Sequence, residues 1–160
     1  MSIASIVAAL PRTALVGAGT VLTSADVDAL AKAGGKLLVS PNIDAEVMAR
    51  AMHHGMETMP GVFTPTEAFL AIRLGASALK FFPASVLGSS GIAAIRAVLP
   101  AATLVGAVGG VSDRDFAGYK AVGVGVFGLG SSLYKPGATV EDVAQRARAA
   151  VAAWDEAFGG

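Results

Sequence analysis

Short apolar runs alternate with helical segments along this chain, and few folds sustain that rhythm over 160 residues. Strand-like runs fall at 14–17, 37–40, 58–61, 78–82, 104–108 and 123–128. Helical patterns lie around them, at 2–10, 25–33, 44–54, 66–75, 89–98, 113–121 and 140–157. Strict alternation with short, glycine-rich connections builds a parallel sheet with helices outside it. Helix starts are marked in the same way several times. Thr64-Pro65-Thr66-Glu67 places a capping threonine before a proline, with a glutamate that reaches back. Ser112-Asp113-Arg114-Asp115 and Thr139-Val140-Glu141-Asp142 repeat the pattern.

An open doubly wound sheet satisfies this order, but a (β/α) barrel satisfies it better. Polar and small residues (Thr20, Asn42, Thr64, Ser85, Gly109-Gly110 and Ser131) cluster just after the strand ends. Barrel enzymes carry their active sites there. A closed barrel needs eight strands, and about 250 residues are typical. The expectation is therefore one partial barrel domain over 1–160, with about six βα units and a late beginning.

Twelve basic and twelve acidic side chains balance, with no block of like charge, which argues against a nucleic-acid or membrane partner. Without cysteine there is neither a disulfide nor thiolate chemistry. No apolar run reaches membrane-spanning length free of Gly, Pro or charge, and the first residues lack a basic leader region. The default expectation is a soluble cytoplasmic protein.

Lys80 stands out. It alone of five lysines sits in mid-strand, in Ala78-Leu79-Lys80-Phe81-Phe82-Pro83. A strand covered on both faces reads as a continuous apolar run, so an ammonium within it needs a reason. Burial lowers an amine's pKa and makes it a nucleophile toward carbonyls. If Leu79 and Phe81 face the helices, alternation turns Ala78, Lys80 and Phe82 to the barrel interior. The competing explanation is a lysine snorkelling from a strand end or paired with a buried carboxylate.

Two later segments suggest an anion site. Val108-Gly109-Gly110-Val111 ends one strand before the helix capped by Ser112, and Gly128-Leu129-Gly130-Ser131-Ser132 ends the last. Glycine lets backbone N–H groups approach a ligand, and a helix N-terminus attracts negative charge. Each glycine pair alone is ordinary turn chemistry; together, after the last two strands, they match the phosphate cradle of barrel enzymes. His53 and His54 close an amphipathic helix, where a helix-end role outweighs metal binding. Every carboxylate but Glu57 falls in a helix or its first turn, and Glu57 starts a strand. No carboxylate is visible at an interior, catalytic-end position.

With these residues placed, the chain resembles the 2-keto-3-deoxy-6-phosphogluconate/galactonate class I aldolases, small trimeric (β/α)8 TIM barrels. The motifs run in order: Val16-Gly17-Ala18-Gly19-Thr20-Val21-Leu22, Ser40-Pro41-Asn42, Pro60-Gly61-Val62-Phe63-Thr64-Pro65-Thr66-Glu67, Leu79-Lys80-Phe81-Phe82-Pro83-Ala84, Ala107-Val108-Gly109-Gly110-Val111 and Gly128-Leu129-Gly130-Ser131. Ala-Val-Gly-Gly and Ser-Pro-Asn look like the phosphogalactonate branch, whereas phosphogluconate members more often carry Thr-Gly-Gly and Ser-Pro-Gly. The resemblance implies that Lys80 forms the Schiff base and that Thr20 contacts the pyruvate-derived carboxylate or hydroxyls. It further implies that Pro41 and Phe82 line the pocket, and that Gly109, Gly110, Gly130 and Ser131 hold the phosphate of a 2-keto-3-deoxy sugar acid.

It also implies a homotrimer, and neither metal nor cofactor, because the iminium serves as electron sink. The family's second-strand glutamate, its general acid/base, and a carboxylate-binding arginine near its first strand have no counterpart. The expectation is an N-terminally truncated aldolase lacking the first two βα units. A non-catalytic binder of phosphorylated ligands fits the same loops. A phosphate-binding isomerase fits the loops but not Lys80-Phe81-Phe82-Pro83.

Overall fold

A computed structural model describes residues 2–159 and leaves only Met1 and Gly160 outside it. The chain divides into two compact units, Met1–Lys80 and Phe81–Gly160. The first holds α1 (Ile3–Ala9), β1 (Gly17–Ala18), α2 (Ser24–Lys32), β2 (Leu37–Val39), α3 (Ala45–His53), β3 (Glu57–Met59), β4 (Gly61–Val62) and α4 (Pro65–Arg73). Strand β5 (Leu79–Phe81) runs across the division. β1, β2 and β3 form a parallel sheet in that order, with Gly17 opposite Leu37 and Leu37 opposite Glu57. Val27 and Leu30 of α2 and Val47 and Ala51 of α3 pack with Leu38 of the central strand into one buried cluster.

The helices of this unit begin as the sequence predicts. Thr64 Oγ1 accepts the Glu67 N–H at 3.3 Å, while Glu67 Oε2 accepts the Thr64 N–H at 2.8 Å. Thr23 and Asp26 form the same reciprocal cap on α2. Each such cap is worth about 1 kcal/mol. α2 and α3 are further tied where Arg50 grips Asp28 through Nε at 2.6 Å and Nη2 at 2.9 Å.

The second unit holds α5 (Ala84–Arg96), β6 (Val105–Val108), a 3₁₀ turn (Asp113–Asp115), α6 (Phe116–Lys120), β7 (Val126–Gly128) and α7 (Val140–Phe158). β6 and β7 are parallel, with Val108 opposite Gly128. Ile92, Val105, Ala107 and Val124 are almost wholly buried. Phe116 stacks on Phe127 with ring centroids 4.2 Å apart, and the Tyr119 hydroxyl donates to the Ala84 carbonyl at 3.2 Å. No helix among the described residues is long and apolar enough to cross a membrane.

Four elements differ from the sequence expectation. The first strand is Gly17–Ala18 rather than 14–17, because the Ala14 N–H turns back to the Pro11 carbonyl. The run 58–61 is two strands, β3 and β4, parted at Pro60, which has no N–H for a ladder. The helix expected at 89–98 starts earlier, at Ala84, and is broken at Gly88, whose φ of 70° is left-handed. The helix expected at 113–121 is a 3₁₀ turn followed by the five-residue α6.

Candidate active site

In the first unit the strand register places three of the expected site residues. The Val21 N–H donates to the Val39 carbonyl at 3.3 Å, so Thr20 lies just past β1, beside the end of β2. Pro41 lies two residues past β2, and the Ser40 hydroxyl donates across it to the Asn42 carbonyl at 2.7 Å. The Lys80 N–H donates to the carbonyl of Pro60, the residue between β3 and β4, at 3.0 Å. Thr20 and Pro41 therefore lie just past strand ends, the side on which parallel α/β folds bind ligands, while Lys80 is the middle residue of β5.

Two of the three are physically unusual. The Lys80 residue is only 8% exposed in a strand whose three residues are all buried, whereas the other four lysines are exposed. Loss of water around its amine disfavours the charged form and holds its pKa below the ordinary 10.5. The neutral amine is the form that attacks a carbonyl. Thr20 is the one described non-glycine residue with positive φ, at 59°. A β-branched residue avoids that region, and such strain costs roughly 1–3 kcal/mol. Pro41 is held from behind: a Cβ on Gly61 would stand 2.2 Å from the Pro41 carbonyl oxygen. Only glycine lets these two segments lie so close.

Entry to β5 is fixed by a pair of side chains not singled out from sequence. The buried Thr58 receives the Ser77 N–H and Ala78 N–H on its carbonyl, at 3.0 and 3.1 Å. In return the Thr58 N–H donates to Ser77 Oγ at 3.0 Å. Separated by nineteen positions and looking like ordinary strand-edge residues, the two carried no sequence signal.

In the second unit Phe82 joins the first glycine loop, and the peptide between Phe82 and Pro83 is cis. Gly109 and Gly110 both have positive φ, 92° and 73°. A Cβ on Gly109 would lie 2.9 Å from the Phe82 ring, and one on Gly110 would lie 2.6 Å from the Ser85 side chain. The second loop stands beside the first because β6 and β7 are paired, and the Ser132 hydroxyl donates to the Val111 carbonyl at 2.9 Å. Gly110, Gly130 and Ser131 are exposed, and their N–H groups donate to no protein acceptor among the described residues. Backbone donors left open in this way suit an anion.

The helix N-terminus expected to assist them does not. Asp115 Oδ2 already accepts the Ser112 N–H at 2.7 Å and its hydroxyl at 2.9 Å, and only a three-residue turn follows. A carboxylate occupies the place an anion would take. The candidate anion contacts thus rest on the loops.

The remaining titratable residues serve structure. Asp26, Asp44, Glu67, Asp115 and Asp142 accept bonds at helix starts, and Glu57 is exposed at the first position of β3. His54 caps the end of α3, and its Nε2 lies 2.6 Å from Asp28 Oδ1. With Arg50 it holds the Asp28 carboxyl down to about 2, the Arg50 hydrogen bond being the larger cause. No group of three His, Asp or Glu side chains among the described residues could hold a metal ion. A cleft of the second unit, about 530 Å³ between Asp113–Ala117 and Ala153–Ala157, is lined by none of the expected site residues.

Residues 2–149 match the family model described as KDPG and KHG aldolase. A protein of Rhizobium meliloti (strain 1021), named probable 2-dehydro-3-deoxy-6-phosphogalactonate aldolase, is 60% identical over 99% of this chain and 75% of its own length. An Escherichia coli (strain K12) protein named 2-dehydro-3-deoxy-6-phosphogalactonate aldolase is 50% identical over 98% of this chain and 76% of its own. Among solved structures, one described as native KDPGal superposes with a TM-score of 0.95 at 49% identity, over 99% of this chain and 77% of that one.

Proposed function

We propose that this chain, which belongs to the KDPG and KHG aldolase family, is a class I aldolase for 2-dehydro-3-deoxy-6-phosphogalactonate that works through a Schiff base on Lys80. The observation that carries the nucleophile is the buried amine of Lys80 in the middle of β5, held by desolvation toward its neutral form. The substrate follows the names borne by the two relatives above, and Ala107-Val108-Gly109-Gly110 and Ser40-Pro41-Asn42 agree with that branch.

The amine adds to the C2 ketone, and loss of water leaves an iminium. A base removes the C4 hydroxyl proton, the C3–C4 bond breaks, and its electron pair moves into the iminium to give an enamine. D-Glyceraldehyde 3-phosphate departs. Protonation at C3 and hydrolysis release pyruvate and restore the amine. The iminium takes the place of a metal as electron sink. The proton transfers fall to water or to a carboxylate other than the helix-capping ones. Thr20 is assigned to the carboxylate or hydroxyls of the substrate, Pro41 and Phe82 to the pocket wall, and Gly109, Gly110, Gly130 and Ser131 to the phosphate.

The alternation of parallel strands and helices supports reading the chain as about six units of a (β/α)8-type barrel. A cytoplasmic homotrimer completes the assignment drawn from the family resemblance.

Borohydride reduction in the presence of pyruvate tests the nucleophile directly. The expected product is a single reduced adduct mapped by peptide mass to Lys80, absent in Lys80→Ala. Undiminished labelling of the alanine variant would remove Lys80 from its role.

A further inference from the structure

We propose that Ser85 is an additional binding residue for the substrate phosphate, acting through its side-chain hydroxyl on the anion seated at Gly110. The inference rests on the proposed anion site and adds to it a side-chain donor that neither the family resemblance nor the sequence motifs assign.

The geometry converges on one loop. The Ser85 N–H donates to the Gly109 carbonyl at 3.0 Å, which fastens the first turn of α5 to the glycine loop. Its Cβ and Oγ each lie 2.6 Å from the place a Cβ on Gly110 would take, so the hydroxyl stands against the Gly110 α-carbon. That place is open because residue 110 is glycine with φ of 73°, a conformation that turns its peptide in a way side-chain-bearing residues rarely adopt.

Ser85 is exposed, and among the described residues its hydroxyl makes no protein hydrogen bond. Its neighbour, the Gly110 N–H, is likewise open. The Ser85 hydroxyl stands against the same residue whose N–H is open, so an anion held there at ordinary hydrogen-bond length has a side-chain donor on the α5 side of the loop. A serine hydroxyl rotates freely and donates to a phosphoryl oxygen without rearrangement. The hydrogen bond is charge-assisted and stronger than one between neutral groups.

The break at Gly88 fits this role. It confines the opening segment of α5 to Ala84–Leu87, so the position of Ser85 is set by the glycine loop rather than by the longer helical body beyond.

The test uses sn-glycerol 3-phosphate, a stable phosphoester of the same three-carbon size as the aldehyde product, with glycerol as the uncharged control. Affinity is measured by titration calorimetry on the full chain and on Ser85→Ala, Ser85→Thr and Gly110→Val, each first shown to be folded by circular dichroism. Loss of a hydrogen bond to a charged group predicts roughly 10- to 100-fold weaker binding in Ser85→Ala. Ser85→Thr, which keeps the hydroxyl, should stay within a few-fold of the parent, and glycerol should bind to none.

Ser85→Ala equal to the parent while Gly110→Val is weakened overturns the role of Ser85 and leaves the anion loop standing. Parent-like binding in both variants, or no binding by the parent, overturns the loop and Ser85 together. Equal weakening in the alanine and threonine variants reduces Ser85 to a packing residue and also rejects the proposal.

Discussion

Gly61→Ala puts the close approach at the start of β4 to a quantitative test. The added Cβ would stand 2.2 Å from the Pro41 carbonyl oxygen, 2.4 Å from its carbon and 3.0 Å from the Asn42 nitrogen. An ordinary carbon–oxygen contact is about 3.3 Å, so the two backbones must part by roughly 1 Å. Both atoms met first are main chain, and Gly61 is buried, so neither a rotamer change nor solvent relieves the overlap.

Inserting a methyl into packed structure costs about 1–3 kcal/mol, and a backbone obstacle puts this case at the upper end. At about 2–4 °C per kcal/mol for a chain of this size, Tm should fall by roughly 6–12 °C. Gly19→Ala is the matched control, since nothing lies within 4 Å of its added Cβ and its φ is not positive. It should be neutral, or stabilising by up to about 1 kcal/mol through the unfolded chain. Thermal and urea unfolding of the three proteins decide the matter. A Gly61→Ala midpoint within about 2 °C of the Gly19→Ala midpoint refutes the contact as described, for a methyl at 61 would then have found room. If the reasoning holds, the displaced segment is Pro41 itself, and residual activity should show a raised KM beside the lost stability.

Burial that lowers the Lys80 pKa makes stability depend on pH: between the native value and 10.5 the unfolded chain holds more protons, so stability rises with pH across that window. Below the native value the charged amine is buried at constant cost. Lys80→Met should flatten the rise, read as the urea midpoint from pH 7 to 10.5, and an unchanged slope would place the burial penalty elsewhere. Thr20→Gly should relieve the left-handed strain and stabilise by roughly 1 kcal/mol while lowering kcat/KM, because the hydroxyl goes with it. Loss of stability in that variant would show that Thr20 is content where it stands.

Much of this architecture was legible because local signals and packing agreed. β2, β5 and β6 are apolar runs closed by Gly or Pro, and Thr64, Ser112 and Thr139 announce the reciprocal caps that the structure contains. The errors came where a short-range signal was misread. Ala14 and Leu15 are apolar enough for a strand, yet Pro11 turns the chain there and the ladder begins three residues later. The helix expected at 89–98 missed the first turn of α5, Ala84–Leu87, because Gly88 breaks the helical pattern there, which left Ser85 as one more polar residue after a strand.

Lys80 was legible as an anomaly, an ammonium inside an apolar run. Thr20 was legible from its place just after a strand end, but its role came only from the resemblance. The left-handed φ falls on Thr20 rather than on the neighbouring Gly19. Nothing in a one-dimensional pattern distributes dihedral angles between adjacent residues in that way.

The pairing of Thr58 with Ser77 also has a meaning for errors in assembly. Parallel strands of three residues carry little information about how far each should slide along its neighbour, and sliding by one position turns every side chain to the opposite face. In β5 that slide would send Lys80 to the face intended for Leu79 and Phe81. It would also strand the Ser77 and Thr58 groups that now satisfy one another at 3.0 Å in both directions. A misaligned chain is thus penalised at the bonds between buried Thr58 and exposed Ser77, three residues before the nucleophile, while the correct alignment is rewarded there. The strand carries its own proofreading.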